Sequence, residues 1–159
     1  MTRFRGLSDD QLLAQCRFEA FRGPGPGGQK RNKTSSAVRL THRPSGLSVI
    51  AGESRSQHRN RQAAMNRLRH QIAVRIREPI DPGEFPRPSL LGISRRSDGY
   101  PAAMGMVLDV MACAGWSVSD AADILGVTTA RLVRFLQADE KLWTEMNQQR
   151  QKIGLRTLN

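Results

Sequence analysis

Ala37-Val-Arg-Leu-Thr-His-Arg-Pro-Ser-Gly-Leu-Ser-Val-Ile50 carries a clear secondary-structure signal. Residues 37–42 and 47–50 alternate apolar and polar side chains, which is the period of a strand with one buried face. Between them the sequence Arg-Pro-Ser-Gly supplies turn chemistry, because proline presets φ and glycine tolerates positive φ. The stretch therefore predicts an antiparallel hairpin.

The flanks of this hairpin predict one more strand and two helices. Phe18-Glu-Ala-Phe21 alternates in the same way and predicts a strand. Residues 56–77 carry apolar side chains near helical spacing, and Pro79 ends that helix. Residues 7–15 begin Leu-Ser-Asp-Asp and predict a short helix capped by the serine. The fold class expected is α+β, a short sheet with a long packed helix.

A glycine-rich segment separates the first strand from the hairpin. Arg22-Gly-Pro-Gly-Pro-Gly-Gly-Gln-Lys-Arg31 cannot continue as helix or strand. Taken alone, Gly27-Gly28-Gln29 is weak evidence, since glycine makes up about 7% of residues and the triplet arises by chance. Alternation of proline and glycine is also typical of a flexible linker. Its setting between basic residues, directly before a hairpin, makes it a candidate functional loop.

The net charge of +11 lies in one half of the chain. Residues 1–78 contain 16 Lys and Arg against 5 Asp and Glu, whereas residues 79–159 contain 9 of each. A basic field confined to one half is typical of a module that binds a polyanion, most often nucleic acid. A solvated basic surface is the alternative that charge alone leaves open.

The second half predicts a linker followed by helices. Residues 79–100 hold four Pro and three Gly and are expected to contain little regular structure. Residues 101–151 predict four helices, and residues 152–159 a tail. The domain organisation expected is 1–78, a linker at 79–100, a helical module at 101–151 and the tail.

Residues 119–134 resemble a helix-turn-helix. Gly126 is placed at the turn, and Thr128 caps a second helix that would present Thr129, Arg131 and Arg134. The neutral charge of this half leaves a plain helical bundle for packing or protein contact equally compatible.

Several classes of protein are excluded by composition. Cys16 and Cys113 lie far apart without a Cys-x-x-Cys pair, and the three His do not cluster near them, so we expect no disulfide, no metal and no cofactor. No run approaches 18 apolar residues, and residues 1–10 lack the apolar core of a signal peptide. The expectation is a reduced, cytoplasmic protein with no membrane span.

Further motifs accompany the Gly-rich segment in a fixed order between about Phe21 and Leu68, the last of them from Ala63 to Leu68. The blocks are Gly25-Pro-Gly-Gly-Gln29, Asn32-Lys-Thr34, Val38-Arg-Leu-Thr-His42, Pro44-Ser-Gly46 and Arg55-Ser-Gln-His-Arg-Asn-Arg61. In this order they resemble the catalytic domain of class I peptide chain release factors. The sequence departs from the usual pattern at Pro24, where Ser is typical, and at Lys30-Arg31, where His or Asn followed by Val is common.

The resemblance implies that Gly27, Gly28 and Gln29 promote attack of water on the peptidyl-tRNA ester. It implies partners as well: large-subunit ribosomal RNA and peptidyl-tRNA in the peptidyl transferase centre, with the protein expected as a monomer. The RNA-binding residues carried over by position are Lys30, Arg31, Asn32, Lys33, Thr34, Arg55, Gln57, Arg59, Asn60 and Arg61. For each arginine a solvated helix face is the alternative.

The subtype follows from what comes after the resemblance. Only 82 residues follow Arg77, without a Pro-x-Thr or Ser-Pro-Phe tripeptide of the kind that reads stop codons, so we expect codon-independent release on stalled ribosomes. One alternative is a nucleic-acid-binding regulator in which the helix-turn-helix acts and the loop is inactive. Another is a hydrolase of free peptidyl-tRNA, although the loop offers no general base.

Overall fold

The structure, a computed structural model, describes residues 4–22, 36–85 and 87–158. It contains a three-stranded antiparallel sheet, a long helix and several further helices, so the α+β prediction is confirmed. Two compact units divide the chain, Met1–Ile72 and Ala73–Asn159.

The sheet forms the centre of the first unit. Its strands are β1 (Cys16–Phe21), β2 (Ala37–His42) and β3 (Ser48–Ala51), in the order β1-β2-β3. Two helices accompany it, α1 (Asp9–Ala14) and α2 (Gln57–Arg75), the second of which runs past the end of the unit. The predicted strands and both helices are therefore present, with ends shifted by one or two residues.

Along β2 and β3, buried side chains alternate with more exposed ones. Leu40 and Ala51 are fully buried, and Leu40 pairs with Val49 across the hairpin, so these side chains share the buried face. Ala64, Leu68 and Ile72 of α2 recur every four residues and are buried as well. These residues are the apolar stripe expected of α2. Its burial stabilises the unit by about 25 cal/mol per Å² of apolar surface removed from water.

Local hydrogen bonds explain where the elements begin and turn. Ser8 and Gln11 form a reciprocal capping box at the start of α1, with distances of 3.2 and 2.9 Å. The β2–β3 turn is closed by the Gly46 N–H, which donates to His42 O at 2.8 Å. Gly46 has a φ of +70°, a conformation that side chains with a Cβ rarely adopt. The hairpin prediction is confirmed.

The second unit is helical. It contains α3 (Tyr100–Cys113), α4 (Val118–Leu125), α5 (Thr129–Gln137) and α6 (Glu140–Lys152). Their buried residues form one apolar core, whose largest fully buried members are Met104, Leu108, Met111, Leu125, Leu132, Leu136, Leu142 and Met146. The four helices expected from the sequence are present.

Helices α4 and α5 are joined by a three-residue turn, as the helix-turn-helix resemblance predicts. Gly126 ends α4 with a φ of +67°, and the Thr128 hydroxyl caps α5 by accepting from the Arg131 N–H at 3.2 Å. Ala121 and Leu132 are fully buried between these helices and the rest of the unit. The turn and the cap expected from the sequence are confirmed.

Residues 79–100 differ from the expected linker. Two short 3-10 helices, Pro82–Glu84 and Pro88–Gly92, occupy part of this segment. Leu90 is buried in the core of the second unit, and Ile80 packs against that core. Proline at the first 3-10 position costs no hydrogen bond, which is why a Pro-rich segment can order in this way.

The expected boundary near residue 78 also differs from the division between the units. That division falls after Ile72, because Ala73 and Val74 at the end of α2 belong to the second core.

Within residues 4–22, 36–85 and 87–158, none of the helices is both long enough and apolar enough to cross a membrane. The same residues contain no grouping of His, Cys, Asp and Glu that could hold a metal ion.

Candidate functional site

The predicted catalytic loop falls in residues 23–35, outside the described part of the chain. This applies to Gly27, Gly28 and Gln29 and to the neighbouring predicted RNA-binding residues Lys30, Arg31, Asn32, Lys33 and Thr34. The structure describes the residues on which the loop stands.

Those residues lie at one end of the sheet. We call Phe21, Ser36 and Ala37 the loop root. Phe21, the last residue of β1, pairs with Ala37, the first residue of β2. The chain therefore leaves and re-enters the fold at adjacent positions. Gln29 lies seven residues after Arg22 and seven before Ser36, at the midpoint of the excursion.

Asn60 in the first turn of α2 joins this root. Its side-chain Nδ2 donates to Ser36 O at 2.6 Å and to Ser54 O at 2.8 Å, and its Oδ1 accepts from the Ser54 N–H at 2.9 Å. The residue is only 1% exposed. Asn60 was expected to face RNA, and the structure corrects this: the amide points inward, because buried backbone groups of the root need its donors and its acceptor.

Gly52, which follows β3, lies close to Ala37 of the same root. A Cβ on Gly52 would lie 3.2 Å from the Cβ of Ala37, which is tighter than ordinary van der Waals contact. Glycine therefore permits the chain after β3 to pass close beside the first residue of β2.

The start of α2 presents the remaining predicted side chains outward. Arg55, Gln57, Arg59 and Arg61 are exposed. Ser56 supports this turn, since its hydroxyl accepts from the Arg59 N–H at 3.3 Å. The first turn of α2 holds no acidic residue, although acids are the residues that stabilise a helix N-terminus. Arginines and a helix N-terminus together make a surface that favours anions such as phosphate.

Two arginines further along α2 have structural partners. The Arg67 guanidinium binds the Glu53 carboxylate at 2.7 Å and also donates to Ile50 O. Its hydrogen bond holds the pKa of Glu53 below its ordinary value. The Arg69 guanidinium binds Asp9 at 2.7 Å, which likewise lowers the pKa of that carboxyl. Each of these arginines thus connects α2 to another part of the first unit.

One basic side chain near the root was missed by the sequence reasoning. The Arg39 guanidinium carbon lies 5.2 Å from the centre of the Phe21 ring, within cation–π distance. Phe21 pairs with Ala37, so Arg39 is its diagonal neighbour on the same face. Only the strand register brings these two residues together, and the sequence pattern alone did not fix that register.

His42 is buried at the opposite end of the sheet from the root. Its Nδ1 lies 2.7 Å from Ser45 Oγ, and its Nε2 lies 3.1 Å from Gln15 Oε1. Burial lowers its pKa from the ordinary value. The pairing of His42 with Cys16, five residue pairs from Phe21, separates this histidine from the root, so it serves the fold.

The residues expected on α5 are exposed as predicted from the sequence, namely Thr129, Arg131 and Arg134. Arg131 is engaged within the second unit, where its Nη2 donates to Pro88 O at 3.3 Å. This contact orders the guanidinium across α5 and the second 3-10 helix.

The sequence of the first unit is similar to that of known proteins. Residues 12–82 match a family model described as the RF-1 domain. Peptide chain release factor 1 of Polynucleobacter asymbioticus is 48% identical over 86 residues, which are 54% of this chain and 24% of that protein. The proteins of the same name from Blochmanniella floridana and Acidiphilium cryptum are 42% and 44% identical over 97 and 100 residues.

These matches cover 58% and 60% of this chain, and 27% and 28% of those two relatives. The chain thus spans about a quarter of the length of the relatives it matches. The matched region contains the sheet, the loop root, all of α2 and the sequence Gly27-Gly28-Gln29. Residues 12–82 of this chain therefore form an RF-1 domain.

Proposed function

We propose that the chain is a cytoplasmic, codon-independent release factor that hydrolyses peptidyl-tRNA on stalled ribosomes. One observation carries the proposal: Gly27-Gly28-Gln29 stands at the midpoint of an excursion whose two ends are paired strands of an RF-1 domain. Seven residues can span roughly 23 Å when extended. That reach is sufficient for the amide of Gln29 to act in a recessed site, as the proposal requires.

The chemistry of the loop sequence suits the hydrolysis of an ester by water. Gly27 and Gly28 allow backbone conformations and close approaches that a Cβ would prevent. Gln29 offers a backbone N–H for the oxyanion that develops on the ester carbonyl. Its side-chain amide can donate and accept, and so can orient a water molecule.

The loop sequence also explains why hydrolysis would depend on the ribosome. Residues 22–31 contain no His, Asp or Glu, and so offer no side chain suited to take a proton from water near neutral pH. The proposed site is therefore completed by ribosomal RNA and by the tRNA itself. The loop supplies positioning and electrostatic stabilisation.

The surface beside the root supports contact with ribosomal RNA. Arg55, Arg59 and Arg61 are exposed around the start of α2, and Lys30, Arg31 and Lys33 follow the catalytic triplet in sequence. Arginine and lysine side chains on phosphates fix register and orientation without reading bases. Gln57, also exposed, can hydrogen-bond to the same backbone.

Codon independence is proposed from the residues that follow the RF-1 domain. They form a four-helix unit with an α4–α5 helix-turn-helix, and the sequence holds no Pro-x-Thr or Ser-Pro-Phe tripeptide. We place recognition of the stalled state in this second unit, through a partner that α5 contacts.

The test uses ribosomes that hold peptidyl-tRNA on a message truncated in the A site. Wild type should release the peptide at saturating factor, and Gln29→Ala should not. Gln62→Ala is the matched control, since Gln62 is an exposed glutamine of α2 outside the root. The same ribosomes with a sense codon or a stop codon in the A site test codon independence. Equal release by wild type and Gln29→Ala would overturn the proposed mechanism.

A second candidate function rests on the α4–α5 geometry, that of a DNA-binding regulator with an inactive loop. The αL turn at Gly126 and the exposed Arg131 and Arg134 are the observations that favour it. It requires sequence-selective binding to duplex DNA that Arg131→Ala with Arg134→Ala abolishes. Co-sedimentation of the protein with large ribosomal subunits and absence of selective DNA binding would eliminate it.

A further inference from the structure

The side chain of Asn60 connects parts of the first unit that are distant in sequence. Both Nδ2 hydrogens are used, one on Ser36 O at 2.6 Å and one on Ser54 O at 2.8 Å. The Oδ1 atom accepts from the Ser54 N–H at 2.9 Å. All three contacts are to backbone, so they depend on the amide of Asn60 and not on the side chains opposite it.

Ser36 is the residue at which the chain returns from the Gly-rich segment to the fold. The next residue, Ala37, is the first of β2 and pairs with Phe21. On its other side Ala37 faces Gly52, whose added Cβ would lie 3.2 Å away. The returning end of the loop is thus bounded by β1, by the chain after β3 and by Asn60.

A capping role does not account for this geometry. Satisfying the Ser54 N–H requires one acceptor, which an aspartate or a serine would supply equally well. The contact with Ser36 O requires a donor, and a neutral amide is the group that offers two donors and an acceptor from one side chain. Asparagine therefore suits this position because of its two donors, which bind the backbone carbonyls of Ser36 and Ser54.

From this geometry we propose that Asn60 is a positioning residue that fixes the Ser36 end of the Gly27-Gly28-Gln29 loop to α2. The proposal rests on the proposed function in so far as it concerns peptide release. Gln29 is seven residues from Ser36 in the sequence, so the proposal predicts that the position of Ser36 affects release. Misplacement of a reacting group by about 1 Å can cost on the order of 10²-fold in rate.

Two variants distinguish the donor role of the Asn60 amide from its acceptor role. Asn60→Ala removes every contact. Asn60→Asp keeps an acceptor for the Ser54 N–H but sets a carboxylate against the carbonyls of Ser36 and Ser54. If the donors of Asn60 are needed, Asn60→Asp will behave like Asn60→Ala; wild-type behaviour of Asn60→Asp would show that the acceptor alone suffices.

Two controls match these variants. Asn66→Ala removes an exposed asparagine from the same helix. Leu12→Ala opens a cavity in α1, next to β1 where Cys16 pairs with His42, at the end of the sheet away from the root. Leu12→Ala should destabilise the unit by about 2–5 kcal/mol without touching the root. Circular dichroism melting of all four variants gives the loss of stability against which the other measurements are compared.

The first readout is hydrogen exchange, which needs no activity. We expect Asn60→Ala and Asn60→Asp to speed exchange at the amides of Ala37 and Val38 at least tenfold more than at β3. Leu12→Ala should not show this local excess, and Asn66→Ala should leave exchange unchanged. Uniform acceleration across the sheet in the Asn60 variants would overturn the proposal.

The second readout is peptide release on stalled ribosomes, measured as a rate at saturating factor and as the factor concentration for half-maximal rate. We expect both Asn60 variants to lower the saturating rate about 10²-fold while the half-maximal concentration changes less than threefold. Leu12→Ala, below its melting transition, should release at the wild-type rate. A loss confined to the half-maximal concentration, or a wild-type rate for Asn60→Asp, would overturn the positioning role.

Inactive wild type would contradict the proposed function and leave the exchange result to decide whether Asn60 holds the root. The two failures are therefore distinguishable.

Discussion

His42 and Gln15 are joined by a hydrogen bond of 3.1 Å from the imidazole Nε2 to the glutamine Oε1, and the imidazole is fully buried. Because Oε1 can only accept, Nε2 carries the proton. Nδ1 then accepts from Ser45 Oγ at 2.7 Å, and Ser45 Oγ accepts from the Leu47 N–H at 3.3 Å. The chain of donors is complete only with a neutral imidazole, which agrees with the lowered pKa of His42.

This relationship makes the stability of the first unit dependent on pH. The folded-state pKa of His42 lies below the ordinary value of 6.5, so the unfolded chain binds the proton more readily. The contribution is therefore fully present above pH 6.5 and is lost as pH falls through the lower folded pKa. We expect the free energy of unfolding of the first unit to fall over that interval by at most about 1.4 kcal/mol per pH unit. Thermal melts should show this as a lower melting temperature.

Two substitutions locate that pH dependence. His42→Gln should flatten the shift below pH 6.5, at the cost of a lower melting temperature throughout. His58→Gln, which changes an exposed histidine of α2, should leave the shift in place. Melting curves with the same pH dependence for His42→Gln and wild type would contradict the assignment.

A buried ion pair stabilises the second unit. Asp109 Oδ1 lies 3.6 Å from Arg77 Nη1 and accepts from the Glu78 N–H at 2.9 Å, and the Asp109 side chain is only 1% exposed. Removing Arg77 leaves the buried Asp109 carboxylate without this cation, whereas the Arg77 side chain is itself 26% exposed, so we expect Arg77→Ala to cost about 3 kcal/mol and Asp109→Ala less. Both tryptophans, Trp116 and Trp143, lie in this unit, so urea unfolding followed by their fluorescence measures it.

The control for this pair removes both charges. Arg77→Met with Asp109→Leu should recover a large part of the loss, because no unpaired charge remains. Additive effects of the two single substitutions would show that the ion pair does not couple them.

The sequence predicts the elements of the first unit because their periodicity and turn chemistry agree. Residues 37–50 alternate and contain the glycine that the turn requires, so the hairpin could be predicted without tertiary information. Ser8 and Gln11 predict the start of α1 for the same local reason. Local hydrogen bonds determine these features, and they are visible in the order of the residues.

The role of Asn60 could not be predicted in that way. Its partner Ser36 is 24 residues away, and the contact exists only after β2 and α2 have been brought together. In sequence Asn60 stands among arginines, which favours RNA contact. The segment at 79–100 was misjudged for a related reason: its prolines argue against helices and strands, but the burial of Leu90 in a helical core orders it.

The turn of the helix-turn-helix offers a local test of backbone conformation. Gly126 has a φ of +67°, and a Cβ in that conformation costs about 1–2 kcal/mol. We expect Gly126→Ala to lower the free energy of unfolding of the second unit by that amount, as measured by tryptophan fluorescence in urea. Gly92→Ala is the control, since nothing lies within 4 Å of the added Cβ and its φ is not positive, so its effect should be near zero.

The arginines around the start of α2 should set how binding to the large ribosomal subunit depends on salt. Arg55, Arg59 and Arg61 are exposed on a helix terminus that no acid neutralises, so each can displace a counterion from RNA phosphate. Replacing each in turn with Gln should weaken binding, and reduce the slope of log affinity against log salt by about one. Arg17→Gln is the control, because Arg17 is also exposed but lies 3.2 Å from Glu19, whose negative charge offsets its own. An equal change of slope for Arg17→Gln would mean that net charge, and not this surface, governs binding.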